Sequence, residues 1–465
     1  RAHPPQASRH RRIAGTEHMN TETRERSKVN RLKSNDAGRH MISDYWDRIF
    51  SANERGAKVV WYNGAALNPI FQAAGLEWAH GEAFAARLSA QKLEKSAQLA
   101  AKEYGYVGEL CSYARTHLGT AMLAKKAQDD VQSGIVSAED QQDLASRLPM
   151  PNFIVNCYAG CSTGQQWDEI THRVLGKQIP IFNVSLPFLW GNGRDAGYLR
   201  GEEWEQATDY VADQLHKLIA FIEEQTGRAF DWDALRQGMR YIKQASEIRR
   251  EGMAMCATRP TPATYWDWIA SVAHINFLPA SQELVDYFTT IRDEIADRVA
   301  NGVGAIEDER YRVYFDGIMN WNKLGTLARV FAEHKVAVVA GRYIHNAFWQ
   351  EPQLIDPENP IRGLAQHYLL CPSNHGFNTI KHFTRKDVEF YGLDGLVLHS
   401  TRTCRAFTGP QQTLAKMAQQ ELGIPSIFFE GDVADESFYK GEMLEGRLEA
   451  MLETIDVRRA RGQAA

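Results

Sequence analysis

The segment PNFIVNCYAGCSTGQQWDEITHRVLGKQIPIFNVSLP, residues 151–187, decides the fold. It reads as a short apolar strand, a polar turn holding Cys161, a helix, then Pro180 and another apolar strand. A second segment, LDGLVLHSTRTCRAFTGPQQTLAKMAQQELGIPSIFFEGD at 393–432, repeats that order around Cys404 and Pro425. The cysteine-to-proline spacing is 19 in the first and 21 in the second. Strands that are apolar without alternation and are joined by helices imply a parallel sheet covered on both faces.

Other strands fit around these two units. AKVVWYN (57–63) is expected to open the first sheet, and YRVYFDG (311–317) with KVAVVAG (335–341) the second. Between about 203 and 301 no strand pattern occurs. Leu284, Phe288, Ile291, Ile295 and Val299 recur at helical spacing before Asn301-Gly302, a C-terminal stop. Trp204, Ala207, Val211, Leu215, Leu218 and Ile222 mark another helix, closed near Gly227, and Arg259-Pro260-Thr261-Pro262 interrupts the helical block. The expected fold class is α/β: two doubly wound parallel-sheet domains related as a diverged duplication, with a helical region between them. The expected divisions are a basic, disordered tail at 1–40, a first α/β domain at 41–202, a helical region at 203–305, and a second α/β domain with a C-terminal helix at 306–465.

A chain of 465 residues is too long for one simple core. With 44% hydrophobic and 24% charged residues, wholesale disorder is excluded. No apolar run approaches the ~18 residues of a spanning helix, so no membrane association is expected. Residues 1–40 carry ten Lys/Arg and four Asp/Glu, a local balance of +6, so the other 425 residues carry −11. A body that acidic, without a basic run, is not a nucleic-acid binder. The tail lacks an apolar stretch of the secretory kind, and residues 1–18, which precede Met19, are expected to be an upstream extension with no part in the fold. Six cysteines are too few for a disulfide scaffold and fit a reducing cytosol, so a cytoplasmic location is expected.

In an open parallel sheet, ligands bind beyond the carboxyl ends of the strands. Cys161 and Cys404 each follow a strand directly, so both are expected in such a crevice, and facing halves would bring the two thiols to one site. Cys111, in GELCSYARTHLG, precedes a helical pattern whose N-terminus would stabilise a thiolate. Three such thiolates suit a soft-metal site, either zinc or an iron–sulfur cluster. The competing reading is that isolated cysteines are small buried hydrophobes. Cys157 and Cys256 are read that way, as packed residues. Cys371, in LLCPSNHGF, is open between a fourth ligand, a thiol behind the ligands and a loop cysteine.

Glu430, Asp432 and Asp435 follow the last strand and are candidates for moving protons in the crevice, against a reading as helix-capping acids in a solvated loop. His399, His375 and Asp394 are further candidates. The chain has no GxxxxGK[ST], no GxGxxG after a strand, no HExxH, no GxSxG and no zinc-finger spacing.

The segments CSYARTHLG, YAGCSTGQQWDEI, RPTPATYW, YRVYFDGIMNW, LLCPSNHGF, DGLVLHSTRTCRAF and FFEGDVADESFYKGEMLEGRLEAMLE occur in this order between about residues 41 and 455. In this order the sequence resembles the cluster-bearing subunits of the 2-hydroxyacyl-CoA dehydratases and ATP-dependent benzoyl-CoA reductases, and within them the B-type (O-type) subunits of the reductases. The resemblance implies one 4Fe-4S cluster held by Cys111, Cys161 and Cys404, a related subunit with a second cluster, and an acyl-CoA substrate. It also implies an ATP-hydrolysing iron–sulfur partner, in line with the missing phosphate-binding loop here. The implied activity is single-electron reduction of an aromatic acyl-CoA to a dienoyl-CoA. Alternatives are a dehydratase losing water through a ketyl radical, and a non-catalytic electron-transfer or scaffold subunit. No CoA-phosphate patch is legible; Arg194, Lys381 and Arg402 are candidate contributors.

Overall fold

The computed structural model describes residues 29–64, 66–135, 143–158, 160–176, 178–191, 201–346 and 349–463. Two four-stranded sheets, all parallel, organise the chain. The first holds β1 (Val59–Asn63), β2 (Glu77–His80), β3 (Phe153–Tyr158) and β4 (Ile181–Ser185) in the order β2-β1-β3-β4. The second holds β5 (Tyr311–Asp316), β6 (Val336–Gly341), β7 (Gly395–Thr401) and β8 (Ser426–Gly431) in the order β6-β5-β7-β8. Counted within its own half, each sheet has the order 2-1-3-4. The halves thus share an architecture, while their descent from one ancestor stays an expectation.

Burial explains the continuous apolar runs. Every residue of β1, β5 and β6 is buried, because helices cover both faces. The outer strands β4 and β8 are only partly covered and carry polar residues at their open positions, Asn183 and Glu430 among them. β2 escaped the sequence reading: at four residues, Glu-Trp-Ala-His, it is too short to show a period.

Between the sheets lie four long helices, Glu202–Thr226, Trp232–Met255, Tyr265–Phe277 and Gln282–Ala300. Local chemistry sets their ends. Gly227 closes the first in the left-handed region at φ 67°. The carboxylate of Asp231 accepts the Ala234 N–H at 2.8 Å to start the second. Thr264 and Asp267 form a reciprocal capping box on the third. One buried cluster runs through both sheets and these helices.

The expected disordered tail is corrected over the part that is described. Val29 pairs with Ile306, Leu32 is buried, and the helix Asn35–Phe50 begins inside the expected tail. The physical reason is polar as much as apolar. Asp267 accepts the Leu32 N–H at 3.0 Å, and Arg298 donates to the carbonyls of Asn30 and Arg31. The backbone of this segment is thus bound to the helical region, which charge counting alone does not show. Residues 1–28 lie outside the described residues. Among the described residues, no helix is long and apolar enough to cross a membrane.

Candidate functional site

Both sheets open into one cavity of about 630 Å³ at the carboxyl ends of their strands. Asn63 and Gly64 follow from β1, Asn156, Cys157 and Cys161 from β3, Ile318 from β5, Tyr343 from β6, and Cys404 with Phe407 from β7. Cys111, Cys161, Cys371 and Cys404 all line it. The topological expectation for Cys161 and Cys404 therefore holds as geometry, and Cys111 joins them from a distant part of the chain.

Cys111, Cys161 and Cys404 share a local position: each is the N-cap of a helix, Ser112–Gln132, Ser162–Leu175 and Arg405–Thr408 respectively. Backbone N–H groups of the first turn favour each thiolate, from Ala114 at Cys111, Thr163 and Gly164 at Cys161, and Phe407 at Cys404. The Gly164 N–H reaches the Cys161 Sγ at 3.4 Å. Burial outweighs those donors. It pushes all three thiols above their ordinary range, Cys404 to about 12, with further upward pushes at Cys111 from Cys404 and Cys161. Buried thiols of this kind gain most from a cation that bonds the thiolate directly.

Polar residues fix the two cysteine loops that meet across the halves. Asp432 is fully buried and accepts the Thr403 N–H at 2.9 Å and the Thr403 hydroxyl at 2.7 Å. It also accepts the Ser112 hydroxyl. Thr403 and Ser112 are the neighbours of Cys404 and Cys111. On the other side of Cys404, Arg342 donates to the Phe407 carbonyl at 2.8 Å and pairs with buried Asp316 at 2.9 Å. Gly160, just before Cys161, has φ +69°, and a Cβ there would stand 2.3 Å from the Ser373 carbonyl oxygen. Only glycine lets the Cys371 loop lie against the Cys161 turn.

Cys371 is buried, stands 3.2 Å from the Ser373 hydroxyl, and is pushed up to about 11 by burial. Cys157 is packed in β3 with its neighbours in the main core and borders the cavity floor. Cys256 ends the Trp232–Met255 helix, fully buried and off the cavity wall.

The proton-donor candidates read from the sequence are placed elsewhere. Glu430 is exposed at the end of β8, and Asp432 spends its oxygens on the clamp just described. Asp435 caps a short 3-10 turn and pairs with Arg115 at 2.8 Å. His399 lies in the core, its ring stacked on Phe429 at 4.7 Å and its Nδ1–H donating to the Ile318 carbonyl at 2.7 Å. Burial lowers it to about 4, so it is neutral and its remaining nitrogen carries no proton. His375 bonds the Leu369 carbonyl, and Asp394 holds the Arg312 N–H and Arg459. None of these six lines the cavity. The reason is strand geometry: a residue past the end of β8 is carried to the sheet's edge, away from the crevice between sheets. Of the phosphate candidates, Lys381 pairs with Glu421, Arg402 is exposed off the cavity, and Arg194 lies outside the described residues.

The acid that does reach the cavity is Glu82, in the first turn of the helix Gly81–Ala90. Its N–H donates to Asn63 Oδ1 at 3.0 Å, and burial raises its carboxyl to about 7. It acts electrostatically on Cys161, Cys371 and Tyr343, which places it at the thiol end. Nearby, the Trp321 indole N–H donates to the Tyr113 hydroxyl, and the Tyr113 hydroxyl to that of Tyr343. His80 and His274 on the same wall are lowered to about 4 and are neutral. In sequence, HGEAF gives no hint of this role, because the signal is burial rather than spacing.

The sequence profile of the family described as "2-hydroxyglutaryl-CoA dehydratase, D-component" matches residues 67–455. The B-type subunit of benzoyl-CoA reductase from Thauera aromatica is 23% identical, over 91% of this chain and 94% of that protein. The (R)-2-hydroxyisocaproyl-CoA dehydratase alpha subunit of Clostridioides difficile is 23% identical over 90% and 95%. The (R)-phenyllactyl-CoA dehydratase alpha subunit of Clostridium sporogenes is 24% identical over 87% and 91%.

Proposed function

The chain belongs to the 2-hydroxyglutaryl-CoA dehydratase D-component family, and from that premise we propose that it is the iron–sulfur subunit of an acyl-CoA reductase of the benzoyl-CoA type. The observation that carries this reading is the meeting of Cys111, Cys161 and Cys404, each at a helix N-terminus, on the wall of one cavity beside a carboxyl raised to about 7.

The donor set fits a 4Fe-4S cluster. Thiolates are the ligands such clusters take. Among the described residues, no three His, Cys, Asp or Glu side chains stand close enough to hold a single metal ion. A tetrahedral zinc would need sulfurs about 3.8 Å apart, from Zn–S bonds of about 2.3 Å. Thiols that share a wall at wider spacing suit a larger inorganic group, with Cys111, Cys161 and Cys404 as its holders. When bound, such a cluster supplies single electrons at low potential.

The chain's own residues do the rest. Tyr113, Tyr343 and Trp321 form a flat, apolar wall suited to an aryl group, and their hydroxyl and indole groups satisfy one another. Glu82 holds a proton on its carboxyl at neutral pH and is the residue that delivers it to a ring carrying added negative charge. Two electrons and two protons together convert an aromatic acyl thioester to the dienoyl thioester. With no phosphate-binding loop in this chain, ATP hydrolysis is assigned to a partner, and a related subunit completes the assembly.

A second reading is kept because dehydratase alpha subunits match at the same identity as the reductase subunit. In it the electron is recovered after water is lost. Two measurements test the pair. Anaerobically purified protein is expected to hold about four irons per chain, as in one cubane cluster; a colourless, iron-free protein refutes both readings. In the assembled enzyme, reductant consumed in proportion to product supports the reductase, and many turnovers per electron the dehydratase.

A further inference from the structure

The cavity has a second end, lined by the helices Asn35–Phe50, Gly81–Ala90 and Tyr265–Phe277. From the Gly81–Ala90 helix, Glu82, Ala83, Ala86, Arg87 and Ala90 face it, a single stripe along the helix. At 1.5 Å per residue the stripe is about 12 Å long from Glu82 to Ala90. The alanines leave the trough open, and Ala90 at its far end is exposed.

Two cations mark this outer end. The guanidinium of Arg87 lies 5.7 Å from the Trp46 ring and 6.0 Å from the Phe50 ring, and that of Arg147 lies 4.6 Å from the same Phe50 ring. Burial lowers Arg87 from its ordinary value, and the like charge of Arg147 adds to that against an opposing pull from Asp47. The Nε of Arg87 is buried with no hydrogen-bond partner, and among the described residues neither arginine forms an ion pair. Arg48 and Arg55, on the same side of the fold, are instead paired with Glu77 at 3.0 and 2.9 Å. Two neighbouring guanidiniums without a carboxylate repel one another, and the ligand that relieves this is a dianion with several acceptor oxygens.

We propose that Arg87 and Arg147 form a phosphate site at the outer end of the cavity, taking the phosphates of the nucleotide portion of a thioester whose acyl end reaches the thiols. The inference rests on the acyl-CoA reading and adds the subsite that the sequence did not reveal. The small-residue stripe is the floor along which the extended pantetheine arm lies, and Trp46 and Phe50 hold the guanidinium planes by cation–π contact.

The test is calorimetric titration of the full chain with three probes: benzoyl-CoA, S-benzoyl-N-acetylcysteamine and inorganic pyrophosphate. R87Q/R147Q is expected to weaken benzoyl-CoA binding by about 10- to 100-fold, the loss of one or two charge-assisted contacts, and to leave the truncated thioester unchanged. R147Q alone, at an exposed position that tolerates substitution, should show a smaller loss of the same kind. Benzoyl-CoA affinity within twofold of wild type in both variants, or equal losses on both thioesters, overturns the site. Wild-type protein that binds neither thioester defeats the acyl-CoA reading instead. The pyrophosphate titration then decides the site by itself: binding lost in R87Q/R147Q upholds it, and no binding to wild type ends it.

Discussion

The Ser112 N–H donates to the hydroxyl oxygen of Thr403 at 3.0 Å, across 291 residues of sequence. This bond joins the neighbours of Cys111 and Cys404, and Asp432 accepts from both partners. The spacing of two thiols from different halves is therefore set by a buried carboxylate that touches neither sulfur.

Replacing that carboxylate should loosen both loops. Asp432→Ala leaves the donors of Thr403 and Ser112 buried without an acceptor, a cost of about 3 kcal/mol. Urea unfolding should show that loss, and iron per chain should fall with it. Asp432→Asn, which keeps one acceptor oxygen, should lose less of both. Equal stability of Asp432→Ala and wild type would contradict the clamp.

Among the cysteines, single replacement of Cys111, Cys161 or Cys404 by alanine should remove most of the iron from anaerobic preparations. Cys256→Ala should retain it, since that sulfur is in the core with its nearest backbone contact at the Gly252 carbonyl. Iron assay of the four proteins, with circular dichroism to confirm folding, separates ligation from packing. Full iron in Cys404→Ala would remove it from the ligand set.

Glu82→Gln keeps the shape of the carboxyl and takes away its proton. Turnover should fall by about 10²–10⁴-fold, the usual span for a general acid, with iron content unchanged. Wild-type activity should decline as pH rises through about 7, where this carboxyl ionises; the variant's residual activity should lack that limb. A variant with the wild-type pH profile would assign the proton to another group.

Asp168 gives a prediction for stability rather than rate. It is buried behind Glu82, bonded to the Asn63 amide at 2.5 Å, and raised by burial from 3.8 to about 8. The folded state thus holds a proton that the unfolded chain releases near pH 4. Its contribution is fully present below about 4 and is lost as pH rises toward 8. Asp168→Asn should flatten the decline in unfolding free energy across that window, as measured by denaturant titration at several pH values.

Gly160→Ala tests the approach of the Cys371 loop. A Cβ at 2.3 Å from the Ser373 oxygen, on a backbone with φ +69°, should cost about 2–3 kcal/mol and lower the melting temperature. Gly105→Ala, also at positive φ but with nothing within 4 Å, should cost less, which isolates the steric part.

Much of the architecture was legible in the residues. Apolar runs such as VVWYN, YRVYFD and VAVVAG announce buried strands because their side chains need cover on both faces. The helices closing at Gly227 and Asn301 were readable from period and caps. The strand-end logic also placed Cys161 and Cys404 in a common crevice. The short strand β2 and the anchoring of residues 29–40 were not legible, since one has too few residues for a period and the other depends on contacts with Asp267 and Arg298 far along the chain.

The sequence by itself determined the class of fold and the residue types able to hold a metal, because periodicity and the thiol group are local properties. Which acid faces the cavity was decided only in three dimensions. Glu430 and Asp432 follow a strand as the cysteines do, yet one is turned to water and the other is consumed by Ser112 and Thr403. Glu82 carries no motif, and its proton affinity comes from being enclosed by helices and strands remote in sequence. A carboxyl's role depends on its dielectric surroundings and its neighbours, and those exist only once the chain has folded.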